Sequence, residues 1–206
     1  MTPAREPAGL LTLAEAADLL AEAFAEPRSD VRHRAAALAA RAGGPTPVGR
    51  LAGRLRRLAE ADVADADVEF ARLFLAGRGA VAHPFESAHR TGRLMDPGCL
   101  AGLDDLFAAA GVRPGEGGNP ADHLSAELDF LALVLRGIVD AGRGGEAHAT
   151  LTAIASKLLD EHLAPFVAAY TARLDLLGPA PYFSAASELL VEVVESTSRH
   201  VALLLR

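Results

Sequence analysis

Five apolar residues, Leu124, Leu128, Leu131, Leu135 and Ile138, recur at intervals of four, three, four and three. That spacing places all of them on one side of an α-helix and scatters them over both faces of a β-strand. A stripe of this length needs an apolar partner, so it commits the chain to a packed helical body. No other segment offers a competing pattern, because sustained alternation with β-branched residues is absent. Ala and Leu supply much of the apolar content, and both lose little freedom in a helical backbone.

Proline, glycine and short polar residues divide the chain into helix-length pieces. Thr12 with Glu15 has the form of a capping box and predicts a first helix to about Glu26, stopped by Pro27. Ser29 or Asp30 caps a second, ending near Ala42. Gly43-Gly44-Pro45 is a break, and Thr46-Pro47 precedes a third helix. On that helix Leu51, Leu55 and Leu58 share one face, and Arg50, Arg54 and Arg57 share another that reads as solvated. Asp65 or Asp67 starts a fourth helix, closed by Gly77, in which Phe70, Leu73 and Phe74 face the core while Glu69 and Arg72 are exposed. Residues 78–95 read as a long connection. Asp96-Pro97 opens a fifth helix that Gly111 ends, and 112–118 is a loop suited to a hinge. Asn119-Pro120 opens the sixth, to about Ala141. From Glu146 a helical pattern runs to Gly178, kinked or broken at Pro165, and Pro181 opens the last. The expectation is an all-α chain, 1–206, forming one globular bundle of about eight or nine helices.

Composition then limits function. The chain has 206 residues, half of them hydrophobic and 23% charged, enough apolar material for a substantial core. Residues 1–103 hold 13 Lys/Arg and 13 Asp/Glu, residues 104–206 hold 7 and 14, so the second half carries the net charge of −7. A nucleic-acid partner calls for the opposite bias. No apolar run is long enough to span a bilayer, the N-terminus lacks the order of a secretory signal, and Cys99 is the single cysteine. These features predict a cytoplasmic protein with no stable membrane insertion.

Catalytic patterns are missing. Ser87 and Ser125 lie near histidines, but neither sits in a G-x-S-x-G turn, and both nucleotide-loop fingerprints are absent. His123 and Glu127, four apart, could supply two metal ligands, with Glu161-His162 or His83 completing a set. Without HEXXH, a second spaced histidine pair or a second cysteine, no metal or cofactor is expected. On spacing alone, Asp122 is a first-turn carboxylate and His123–Glu127 a pair that supports the helix.

Four segments in order nevertheless resemble the TorD/DmsD/NarJ family of redox-enzyme maturation chaperones. They are the acidic-aromatic-x-Arg-Leu-Phe helix Glu69–Phe74, the loop Pro84–Ser87, the element Pro-x-Asp-His-x-x-x-Glu-Leu-x-Phe over Pro120–Phe130, and His-Leu-x-Pro-aromatic over His162–Phe166. Phe85 and Phe166 stand where family members commonly carry Tyr and Trp. The resemblance implies an all-α chaperone, not an enzyme, that binds the precursor of a molybdopterin-dependent oxidoreductase catalytic subunit through its twin-arginine signal peptide. It implies assistance with folding and cofactor insertion and restraint of premature export. It marks Asp122, His123 and Glu127, with Pro84, Phe85, Glu86 and Ser87, as the client-binding group, since carboxylates accept bidentate arginine bonds and an apolar groove takes a hydrophobic segment. Beside it stands a helical adaptor or small-ligand-binding protein that uses His123 and Glu127. Either a monomer or a dimer that exchanges halves at 112–118 is compatible.

Overall fold

The computed structural model describes residues 5–25, 29–42, 49–75, 81–113 and 119–206. Among them the regular elements are helical: α1 Arg5–Ala25, α2 Ser29–Ala42, α3 Gly49–Glu60, α4 Ala66–Phe70, α5 Glu86–Arg90, α6 Pro97–Ala109, α7 Leu124–Ala141, α8 Glu146–Lys157, α9 Ala164–Leu176 and α10 Pro181–Leu204. A π-helical turn, Ala71–Leu75, continues α4, and a second, Leu158–Leu163, joins α8 to α9 without a break. The all-α bundle expected from the sequence is what forms. No described helix is long and apolar enough to cross a membrane.

The core is organised around α1. Leu13, Ala14, Ala16, Ala17, Leu20 and Ala23 are fully buried, so most of its circumference is covered and a stripe through Leu11, Glu15, Asp18 and Glu22 is left toward solvent. It packs on α7, α10 and α2, and the many alanines let those neighbours come close. The α7 stripe faces it, with Leu124, Leu128, Leu131 and Leu135 fully buried. Each such side chain contributes about 1.5–3 kcal/mol by leaving water. Arg136 of α7 donates to Asp18 of α1, and Arg34 of α2 to Glu22, so polar rims flank the apolar seam. Two edge-on aromatic pairs, Phe24–Phe74 and Phe24–Tyr170, join α1 to the π turn after α4 and to α9.

Several local expectations change. Thr12 lies inside α1, where its hydroxyl donates to the Ala8 carbonyl at 2.8 Å, so it is no cap. Pro7 sits near the start of α1, where its missing N–H costs nothing. The arginine stripe of α3 is not simply solvated: Arg54 and Arg57 both pair with Glu188 of α10. Glu69 is largely buried. It accepts from Arg72 and from the Ala180 amide at 2.8 Å, while Arg72 donates to the Leu177 and Gly178 carbonyls, clasping the α9–α10 turn. The connection 78–95 contains the short α5. The stops and caps expected at Pro27, Gly43-Gly44-Pro45, Thr46-Pro47 and Gly77 lie outside the described residues, as does 114–118 of the hinge segment.

The second π turn precedes Pro165, and its cause is chemical. Proline has no N–H to give the carbonyl of Glu161, four residues earlier, and its ring crowds that carbonyl. The helix widens there instead of breaking. Arg90 of α5 donates to the freed Glu161 carbonyl at 3.3 Å. This turn aims His162 inward, toward the site below.

Candidate functional site

α7 begins at Leu124 rather than at Asn119. Pro120 opens a turn closed by the His123 amide on the Pro120 carbonyl at 2.9 Å, and His123 is the N-cap. The reason is main-chain pairing: the Glu86 amide donates to the Asp122 carbonyl and the Leu124 amide to the Pro84 carbonyl, both at 2.8 Å. Phe85 and His123 thus form an isolated antiparallel bridge that holds 122–124 extended. Pro84–Ser87 is a strap laid across the start of α7.

This geometry revises the roles that spacing assigns. Asp122 precedes the helix instead of sitting in its first turn. His123 and Glu127 are not a surface pair. The His123 Nδ1 accepts from the Ser125 amide at 3.2 Å, and its ring meets Phe85 edge-on at 4.9 Å. Burial pushes the imidazole down to about 4, so it stays neutral and able to accept. The seven marked residues do come together, but inside the protein. Asp122, Glu127, Glu86 and Ser87 are 0% exposed, His123 is 7%, Pro84 is buried and Phe85 half-buried.

Within the cluster, Ser87 Oγ donates to Asp122 Oδ2 at 2.5 Å. Glu86 is the hub. Its Oε1 accepts from Arg90 at 2.6 Å, and its Oε2 lies 3.0 Å from Cys99 Sγ and 2.9 Å from His162 Nδ1. Burial alone would raise this carboxyl, but the bonds from His162, Cys99 and Arg90 together outweigh it and hold the value below normal. Burial, and then the Glu86 bond, push the Cys99 thiol far up, so it is no thiolate nucleophile. Glu127 is the opposite case to Glu86. Both its oxygens, and Asp122 Oδ1, have no hydrogen-bond partner among the described residues. Burial first, then Glu86 and Asp122, raise its carboxyl well above normal, and it is held uncharged.

Cys99 and His162 were not marked by sequence spacing as partners of Glu86. Cys99 comes from the first turn of α6, set by the Asp96 cap on the Gly98 and Cys99 amides, and His162 from the π turn. Glu86, Cys99 and His162 bring their ligand atoms within 4.8 Å of one another, whereas the His123–Glu127 metal set considered from spacing does not assemble, because His123 turns to its own helix. A cleft of about 370 Å³ reaches this group from the surface, lined by Arg90, Asp96, Cys99, Glu161 and His162 among others. The arrangement is a buried polar clamp joining a strap, a helix start and a widened turn.

Comparison with known proteins now bears on the cluster. No curated protein matches the chain. One solved structure, described as that of a candidate redox-enzyme maturation protein from Archaeoglobus fulgidus, is 22% identical over 70% of this chain and 93% of its own, with a TM-score of 0.42. The model of the nitrate reductase delta subunit family matches residues 39–172, which include the strap, α6, the start of α7 and the π turn. The chain belongs to the nitrate reductase delta subunit family, within the NarJ/TorD-type redox-enzyme maturation chaperones, whose members are chaperones and not enzymes.

Proposed function

We propose that this chaperone acts in the cytoplasm as one domain on the precursor of a molybdopterin-dependent oxidoreductase catalytic subunit. In this reading it engages the twin-arginine signal peptide, assists folding and cofactor insertion, and withholds the precursor from export until both are complete. The observation that supports an arginine-bearing client is the excess of carboxylate at the clamp. Of Glu86, Asp122 and Glu127 only Glu86 pairs with a guanidinium, that of Arg90, and three of the six oxygens have no partner among the described residues. A guanidinium offers five N–H donors in a fixed fork and matches such acceptors bidentately.

Because the carboxylates are enclosed, the strap has to lift for a peptide to reach them. Two main-chain bonds, the Ser87–Asp122 bond and the Phe85–His123 contact hold it on this side. At about 1 kcal/mol each, these four resist opening by about 4 kcal/mol, and the bonds of Glu86 to Cys99 and His162 add to that, so the open form is a minor state. A client that binds only this form pulls the equilibrium toward it, and its apparent affinity is reduced by the open fraction.

Calorimetric titration with the twin-arginine signal peptide of a molybdoenzyme precursor, against the same peptide with both arginines changed to lysine, tests the reading. Binding should weaken with salt, fall at least about tenfold for the lysine peptide, and fall similarly in Asp122→Asn and Glu127→Gln. Amide exchange at Glu86 and Leu124 should speed up in the complex. Equal affinity for both peptides would sink the arginine reading.

The complete burial of Asp122 and Glu127 favours a second reading, in which the clamp is an internal strut and the client docks on another face, as a helical adaptor would. Peptide affinity unchanged in both variants, with altered stability alone, selects it. Exchange of halves between chains at 112–118 belongs to the proposal as well, and light scattering on the purified protein distinguishes monomer from dimer.

A further inference from the structure

Glu86, Cys99 and His162 come from three elements, α5, α6 and the π turn before α9, and their ligand atoms converge within 4.8 Å in the interior. Arg90 fixes Glu86 Oε1, so Oε2 alone faces the thiol and the imidazole, at 3.0 and 2.9 Å. One carboxylate oxygen thus receives both the thiol hydrogen and the imidazole Nδ1 hydrogen. These are the positions a cation takes when it replaces hydrogen between three ligands.

Three further features point the same way. Behind the trio lie Asp122, with one unpartnered oxygen, and Glu127, with two, both 0% exposed. They leave the pocket with more carboxylate than Arg90 balances. On the other side the cleft lined by Cys99 and His162 gives an ion a route from solvent and room for one more ligand. At the imidazole, a Cβ on Gly102 would stand 3.3 Å from His162 Cε1, so the absent side chain in α6 is what lets the ring seat there.

We propose that Glu86 Oε2, Cys99 Sγ and His162 Nδ1 bind a divalent transition-metal ion, with a fourth, exchangeable ligand position facing the cleft. One nitrogen, one sulfur and one carboxylate oxygen suit zinc, which takes tetrahedral sites of this kind. On binding, the Cys99 S–H bond breaks and its proton leaves to solvent. The neutral imidazole carries its hydrogen on Nε2 instead of Nδ1. Thiolate and carboxylate together offset the ion's two charges, and Arg90 stays on Oε1, where it orients the ligand. The ion staples α5, α6 and the π turn, and its binding needs no client.

The experiment uses the full chain, stripped with a chelator and then titrated with cobalt(II) or zinc. One ion per chain is expected after desalting. Cobalt should give thiolate-to-metal charge transfer in the near ultraviolet and visible bands of tetrahedral intensity. Cys99 is the one cysteine in the sequence, so the charge-transfer band by itself identifies the site, even if a variant fails to fold. Cys99→Ser should abolish that band and weaken binding at least about tenfold, His162→Gln should weaken it comparably, and His148→Gln should leave it unchanged. Zinc should raise the melting temperature of the natural chain but not of Cys99→Ser. A folded, stripped chain that takes up no stoichiometric ion overturns the proposal, as does cobalt binding without charge transfer.

Discussion

Glu127→Gln exchanges a buried, uncharged carboxylic acid for an amide of the same shape, and the effect can be worked out from the site. In the fold Glu127 is fully enclosed, and burial, then Glu86 and Asp122, keep it protonated well above its ordinary 4.5. In the unfolded chain it ionises near that ordinary value. Between the two values the native state binds the extra proton, so stability is complete below the unfolded value and is lost as pH rises toward the folded one. The loss is about 1.4 kcal/mol per pH unit. Glutamine suffers none of it, although its amide, in a place without partners, costs about 1–3 kcal/mol at every pH. The stability difference between variant and natural protein should therefore shift in the variant's favour as pH rises from about 5.5 to about 7, by at most about 1.4 kcal/mol per pH unit, whatever the constant offset. Urea unfolding followed by far-ultraviolet circular dichroism, in chelator so that no cation supplies countercharge, measures this. A difference that stays flat over that range would mean Glu127 ionises freely in the fold, and would refute the buried, uncharged acid.

Three further outcomes are expected. Leu131→Ala empties a fully buried position in the α7 seam and should cost about 2–5 kcal/mol in denaturant unfolding. Gly102→Ala places a methyl 3.3 Å from an imidazole already tied to Glu86, so it should destabilise by about 1–3 kcal/mol and weaken cobalt uptake; unchanged values would show that His162 can give way. The His123 ring should titrate near pH 4 by NMR, since burial holds it down to about 4 from 6.5. The stability its neutral form supplies is complete above 6.5 and declines as pH falls toward about 4; His123→Asn, which still caps, should flatten that decline.

What could be read beforehand divides along the range of the interactions concerned. The α7 stripe, the Asp96-Pro97 cap and the ends near Gly111 and Gly178 were legible because each depends on residues within a turn or two. The start of α7 was not, because Asn119-Pro120 is a good local opening that loses to main-chain pairing with a strap 35 residues earlier. Likewise the arginines of α3 show as a stripe in sequence, but only the fold brings Glu188 opposite them. At the site, motif order gathered the seven marked residues, yet their enclosure was invisible: the same pattern of letters would serve a surface cluster. Cys99 and His162 carry no spacing signal toward Glu86. The one local hint was Pro165, which forecasts an orphaned carbonyl and hence an irregular turn, though not which side chain that turn would deliver.

The placement of α1 bears on how the chain is made. Its most extensive partner is α7, and the Asp18–Arg136 contact across that seam joins residues 118 apart. Translation at about 5–20 residues per second delivers α7 on the order of ten seconds after α1 has been made. Throughout that interval α1 can have only α2, and later the π turn after α4, for shelter among the partners described. A protein whose family matures redox enzymes must therefore pass through such an incomplete state itself on every ribosome. Slowing elongation before α7, in cell-free synthesis with limited proteolysis of the nascent chain, would lengthen the time for which α1 can be cut.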